Sequence, residues 1–159
     1  MHFLSPQNID ILTKLSVALG LGGLIGLERF FVRRPAGMRT HSLVALGSAL
    51  FVIISIMVYQ QYNLVGAVNF DPLRMAAQII LGVGFLGAGM IILRGEQVIG
   101  LTTASGLWVS AGIGIACGFG IYNLAVIATV LVLLIFTLFH LIEDKIRVYE
   151  NERGIRAEE

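Results

Sequence analysis

Charge is what this sequence lacks. Only 13% of its 159 residues are charged, against 57% hydrophobic, and the mean hydropathy is +0.87. A soluble domain carries about 25% charged residues, and half that density leaves too little polar surface to cover a globule of this size. A soluble domain is excluded, so the solvent is lipid. Neither sign dominates: eleven Lys and Arg against ten Asp and Glu leave a net charge of +1, which supplies no field for nucleic acid. The single cysteine, Cys117, can neither close an intrachain disulfide nor make a Cys-rich metal site.

What the sequence does have is long uncharged runs. Ser42 to Tyr59, Met75 to Leu93 and Leu101 to Phe119 carry no charge, and each is close to the roughly 20 residues that cross a bilayer core as helix. Gly100 to Ile142 is uncharged throughout; as one helix it would be about 64 Å long against a core of about 30 Å. The chain must fold back, and the glycines of Cys117-Gly118-Phe119-Gly120 place the turn there, with a last span from Ile121 to Ile142. Leu15 to Leu27 supplies a shorter first span, with Lys14 snorkelling at one end and Glu28 and Arg29 at the other headgroup layer. The expectation is an all-α membrane protein of five transmembrane helices. They form one domain over residues 1–145, with a short cytoplasmic tail over 146–159.

Nine of the eleven basic residues flank the spans on one side, leaving Lys14 and Arg74 on the other. The positive-inside rule therefore predicts the N-terminus outside and the C-terminus in the cytoplasm. A basic n-region and a small-residue cleavage site are missing, so the first helix is expected to stay.

Gly20-Leu-Gly22-Gly-Leu24 echoes Gly82-Val-Gly84-Phe-Leu86, and Gly37 to Ser42 echoes Gly100 to Ser105, at offsets of 62 and 63 residues. Two readings fit: a two-hairpin parallel repeat with an axis along the membrane normal, or the compositional likeness of glycine-rich helices. Ala18, Gly22 and Gly26 in span one, Gly84 and Ala88 in span three, and Gly106, Ser110, Gly114 and Gly118 in span four make small-residue stripes that let backbones approach. Spans one, three and four are therefore expected at the centre and the glycine-free span five at the rim. Trp108 is expected to pack on the stripes.

The polar residues need separate reasons. On the basic side, Thr40 or Ser42 can cap span two, and Arg39, beside that helix's positive end, needs an anion. Glu28 is one candidate; a lipid phosphate or phosphorylated ligand near Thr102 and Thr103 is another, and ordinary anchoring to anionic headgroups is the plainer reading. On the other side, Asp71 and Pro72 form a helix start. Arg74 is expected to pair with Asp71 or Asp10, and Gln78 to bond across to a neighbouring helix. Glu28 and Asp71 lie about 30 Å apart in this topology and cannot share an ion. No span carries a mid-membrane carboxylate, which argues against a charged relay through one subunit and leaves a path between subunits open. No nucleophile lies beside a base and no metal-ligand spacing occurs, so neither catalysis nor a cofactor is expected.

Gly26-Leu-Glu28-Arg29, Pro35-Ala-Gly37-Met-Arg39-Thr40, Asp71-Pro72-Leu-Arg74-Met-Ala76-Ala-Gln78, Gly82-Val-Gly84-Phe-Leu-Gly87-Ala-Gly89 and Gly100-Leu-Thr102-Thr103-Ala104, in this order, resemble the motifs of the MgtC/SapB family of bacterial membrane proteins. The resemblance implies a multi-pass inner-membrane protein associated with growth under magnesium limitation and, in pathogens, with virulence inside phagocytes. It implies regulation of another membrane complex, the F-type ATP synthase among the candidates, rather than magnesium transport. It marks Glu28, Arg39, Asp71, Arg74 and Thr103 as important positions. Longer members append a soluble cytoplasmic domain, whereas seventeen residues, Glu143 to Glu159, follow the last span here, so functions needing that domain are not expected of these residues. The alternative is an ion-permeation or transport protein working as a homo-oligomer.

Overall fold

A computed structural model describes residues 5–63 and 71–152 of the chain. Residues 153–159, including Arg153 and Arg156 of the basic-side count, lie outside the described residues. Five helices are long and apolar enough to cross a membrane.

The first, α1, runs Pro6–Phe31, with Ser5 as N-cap accepting from the Asn8 amide at 3.3 Å. It is longer than its uncharged stretch, because Asp10 and Lys14 pair at 2.6 Å one turn apart and satisfy each other on the helix surface. At its C-terminus Arg33 takes the left-handed position (φ 55°), while the Arg34 amide bonds back to the Arg29 carbonyl at 3.0 Å. This is the Schellman closure in which glycine is usual.

Helix α2 spans Met38–Asn63 and α3 spans Pro72–Met90. Thr40 and Ser42 therefore lie inside α2 rather than capping it; Ser42 Oγ instead donates to the Leu19 carbonyl of α1 at 3.2 Å. Span three ends at Met90 rather than Leu93. The chain turns there into an exposed antiparallel hairpin, β1 (Ile92–Arg94) with β2 (Gln97–Ile99), the one strand pair among the described residues. Gly100 (φ 95°) closes it, and a Cβ at that position would lie 2.0 Å from the Met90 carbonyl oxygen. Only glycine fits there.

Helix α4 spans Leu101–Gly118 and α5 spans Tyr122–Leu134. The turn between them sits at the glycine pair, with Gly120 at φ 77°. The last helix continues through one π turn, Ile135–Phe139, into α6, His140–Glu152.

Lys14, Gln60 and Gly120 lie together at one end of the bundle, and Arg29, His41, Gly106 and Phe136 at the other. The start of α1 and the end of α5 thus occupy opposite ends.

The centre is α1, α2 and α4, not spans one, three and four. Helix α4 is buried along 61% of its span, α3 along only 17%. A Cβ on Gly22 would lie 2.6 Å from the His41 carbonyl oxygen, on Gly26 2.5 Å from Met38 Cα, and on Gly114 2.1 Å from the Ala45 carbonyl oxygen. Backbones touch at each point, the contact that replaces the hydrophobic drive between helices in lipid. The receiving surface is the Ala45, Ala49 and Val52 face of α2, all fully buried. Gly84 has nothing within 4 Å of its Cβ position, so it packs no helix. Trp108 is half-exposed over a crevice between α3 and α4 rather than packed on the stripes. Helix α5 is at the rim, burying only Ala125, Thr129, Val132 and, beyond it, Phe136, one stripe at helical spacing.

Candidate functional site

The buried face of α1 reads Ala18, Gly22, Ile25, Gly26, Arg29: an apolar stripe that ends on a cation. Arg29 is 3% exposed. An unpaired guanidinium in such a place costs several kcal/mol, and two groups compensate it. Glu28, beside it in the chain, takes both Nε and Nη2, the latter at 2.7 Å, in the bidentate geometry that suits arginine and carboxylate. The ring of Phe136 lies 3.7 Å from the guanidinium carbon, within cation–π range. Phe136 is the buried residue of the π turn, whose extra residue per turn adds rotation to the helix face.

At the same end is His41, in the first turn of α2 and fully buried. A Cβ on Gly106 would stand 3.0 Å from Phe136 Cζ and 3.3 Å from His41 Cε1, so the glycine leaves room on α4 for both rings. His41 Nδ1 lies 2.8 Å from Ser110 Oγ, and the same oxygen lies 2.9 Å from the Gly106 carbonyl oxygen. Nδ1 and the hydroxyl share the first contact, its direction following the ring's tautomer. Nε2 has no hydrogen-bond partner among the described residues. The cluster Glu28, Arg29, Phe136, His41, Ser110 thus ties α1, α2, α4 and the last helix together at one end. A serine and a histidine meet here, but both are fully buried, so the hydroxyl is closed to a substrate in this packing.

The remaining polar positions are spread over the bundle ends. Arg39, Thr40 and Thr102 are exposed, while Thr103 is 3% exposed on α4. Glu28 is joined to Arg29 and not to Arg39, because the two residues at the end of α1 reach each other without crossing to α2. At the opposite end Asp10 pairs with Lys14 and Asp71 Oδ1 caps the Leu73 amide at 2.9 Å. Arg74 is exposed, and no ion pair joins it to either acid among the described residues. Gln78 lines a cavity between α2 and α3. Among the described residues no three His, Cys, Asp or Glu side chains group as metal ligands.

His41, Ser110 and Phe136 were not singled out by the sequence as a site. The signal available was the small-residue stripe itself: Gly106 and Ser110 mark the place where a ring can enter the helix packing.

The family model described as MgtC family matches residues 15–145, a stretch that holds every residue of this cluster. The chain belongs to the MgtC family. Among its relatives, Protein MgtC of Brucella abortus (strain 2308) is 43% identical over 140 residues, covering 88% of this chain and 56% of that protein. YhiD of Escherichia coli (strain K12), which carries a provisional magnesium-transporter name, is 42% identical over 131 residues, 82% of this chain and 61% of its own length. A Haemophilus influenzae protein is 43% identical over 141 residues, 87% of this chain and 59% of the relative. The chain therefore spans less than two thirds of the length of these relatives. No solved structure matches it. Five apolar spans within the MgtC family make it a multi-pass protein of the bacterial inner membrane.

Proposed function

We propose that this MgtC-family chain is a non-enzymatic membrane regulator that supports growth, and in pathogens virulence, when magnesium is scarce, by binding another membrane complex. The F-type ATP synthase is the candidate that the resemblance names. The basic end, with Arg29, Arg33, Arg34 and Arg39, faces the cytoplasm. The observation that carries this reading is the closed centre: α1, α2 and α4 meet backbone to backbone at Gly22, Gly26 and Gly114, which leaves no room for a hydrated ion along the axis they share. The buried charge at the basic end is already neutralised within the chain by Glu28 and Arg29, so the cluster serves as a fixed structural clasp rather than a moving carrier.

A second reading is ion permeation by a homo-oligomer. It is favoured by the cavity of about 500 Å³ between α2 and α3, where Ser48 and Gln78 supply the polar lining. Reconstitution into sealed liposomes loaded with magnesium- and proton-sensitive dyes separates the two. The regulator passes neither ion. Flux that disappears in Asp71→Ala or Arg74→Ala, with the fold intact, overturns the regulator reading.

A further inference from the structure

The cavity of about 500 Å³ between α2 and α3 is a groove with a direction and a length. Leu43, Gly47 and Phe51 line it from α2, and Leu86, Gly82 and Met75 from α3. The α2 wall repeats every four residues, which keeps it on one face of the helix. It begins at the basic end with Leu43 and runs about 12 Å along α2 to Phe51, and about 17 Å along α3 from Leu86 to Met75. Half of a hydrocarbon core of about 30 Å is about 15 Å, so the groove is as deep as one leaflet. Gly47 on one wall and Gly82 on the other have nothing within 4 Å of a Cβ, so absent side chains hollow it out. Its polar members are few: Ser48 already donates to the Val44 carbonyl at 2.8 Å, and Gln78 lies towards the Met75 end.

An apolar groove in a bilayer takes acyl chain wherever it occurs; what makes this one selective is the residue above it. Arg39 stands one turn before Leu43, and the tilt of helical side chains towards the N-terminus carries its guanidinium to the headgroup level. It is exposed, and no ion pair joins it to an acid among the described residues. Glu28, the acid at that end of α1, is taken by Arg29. Arg33 and Arg34, also exposed, add positive charge at the same end. A free cation at the surface with a one-leaflet apolar slot below it has the charge order and the length of an anionic phospholipid, phosphate outermost and acyl chain inward.

We infer that the chain holds one anionic phospholipid from the leaflet at its basic end, with the phosphate on Arg39 and one acyl chain between Gly47 of α2 and Gly82 of α3. The site rests on the groove and on Arg39, not on the regulator reading. A lipid seated there fills the cavity that the permeation reading uses.

Native mass spectrometry of the full chain in detergent tests it, with phosphatidylglycerol and phosphatidylcholine of identical acyl chains as probes. Each chain should retain one phosphatidylglycerol in preference to phosphatidylcholine, and glycerol phosphate should not displace it. Arg39→Gln should weaken retention about fivefold, the worth of one basic residue near an anionic surface, and Arg34→Gln should weaken it less. Gly47→Leu, which fills the groove from α2, should abolish retention. Gly20→Leu, at an exposed position of α1 with an equally open Cβ, should keep it. Gly82→Leu repeats the filling from the α3 wall, so a folding defect in one variant does not decide the result. Equal retention of the two lipids overturns the proposal, as does displacement by glycerol phosphate. So do equal losses from Arg39→Gln and Arg34→Gln, or undiminished retention in both Gly47→Leu and Gly82→Leu.

Discussion

Arg29 and Arg39 are both arginines near the same membrane face, and the structure gives them opposite weights. Arg29 is 3% exposed and held by Glu28 and Phe136; Arg39 is exposed. Removing one partner of a buried pair strands the other, at about 3–5 kcal/mol. Arg29→Ala should therefore unfold at markedly lower temperature in detergent, and Glu28→Gln combined with Arg29→Leu should recover part of the loss by removing both charges. Arg39→Gln should leave the transition within a degree or two, because exposed charges contribute little. Equal losses from Arg29→Ala and Arg39→Gln would show that the clasp is not where the burial is. The sequence displayed Glu28 and Arg29 as a headgroup pair, since adjacency along the chain does not reveal which of two neighbours turns inward. Only the position of Arg29 on the stripe of Ala18, Gly22 and Gly26, three residues after the last glycine, carried that information.

Glycine content predicts helix contact only when the neighbour's surface is also known. Gly112 and Gly114 lie two residues apart on α4; one has open space at its Cβ position and the other would strike the Ala45 carbonyl at 2.1 Å. Gly114→Ala should destabilise by about 1–3 kcal/mol through overpacking, whereas Gly112→Ala should be neutral or slightly stabilising, because alanine is the better helix former. Paired thermal melts in detergent check this, and equal transitions would contradict the packing at Ala45. At the end of α1, Arg33→Gly should not destabilise and should gain up to about 1 kcal/mol by relieving the left-handed backbone, read in the same melts. The spans themselves were legible because an uncharged run of bilayer length has few alternatives, and the turn at Gly120 because a 43-residue run must break somewhere. The exchange of α2 for span three at the centre was not legible: the small face of α2 is made of Ala45, Ser48 and Ala49 rather than glycine. The hairpin after Met90 hid within an apolar segment, Ile91 to Leu93, that a helix could equally have used.

At the scale of the molecule, the five helices divide into a fused core of α1, α2 and α4 and two flanking helices, α3 and α5, whose exposed sides are largely apolar. The α1, α2 and α4 contacts close the middle of the bundle, and the buried clasp at the basic end locks the last helix onto it. Cys117 reports on the closure without any substitution: it is fully buried in the core cluster, beside Gly118, whose Cβ position is 2.7 Å from Val52. A charged, membrane-impermeant methanethiosulfonate applied to the native protein in nanodiscs reaches only thiols that water reaches. The closed centre predicts no labelling of Cys117 in the folded chain, and one label per chain once it is denatured. Labelling of the folded chain at a rate approaching that of the denatured one would place a water path through the centre and contradict the account.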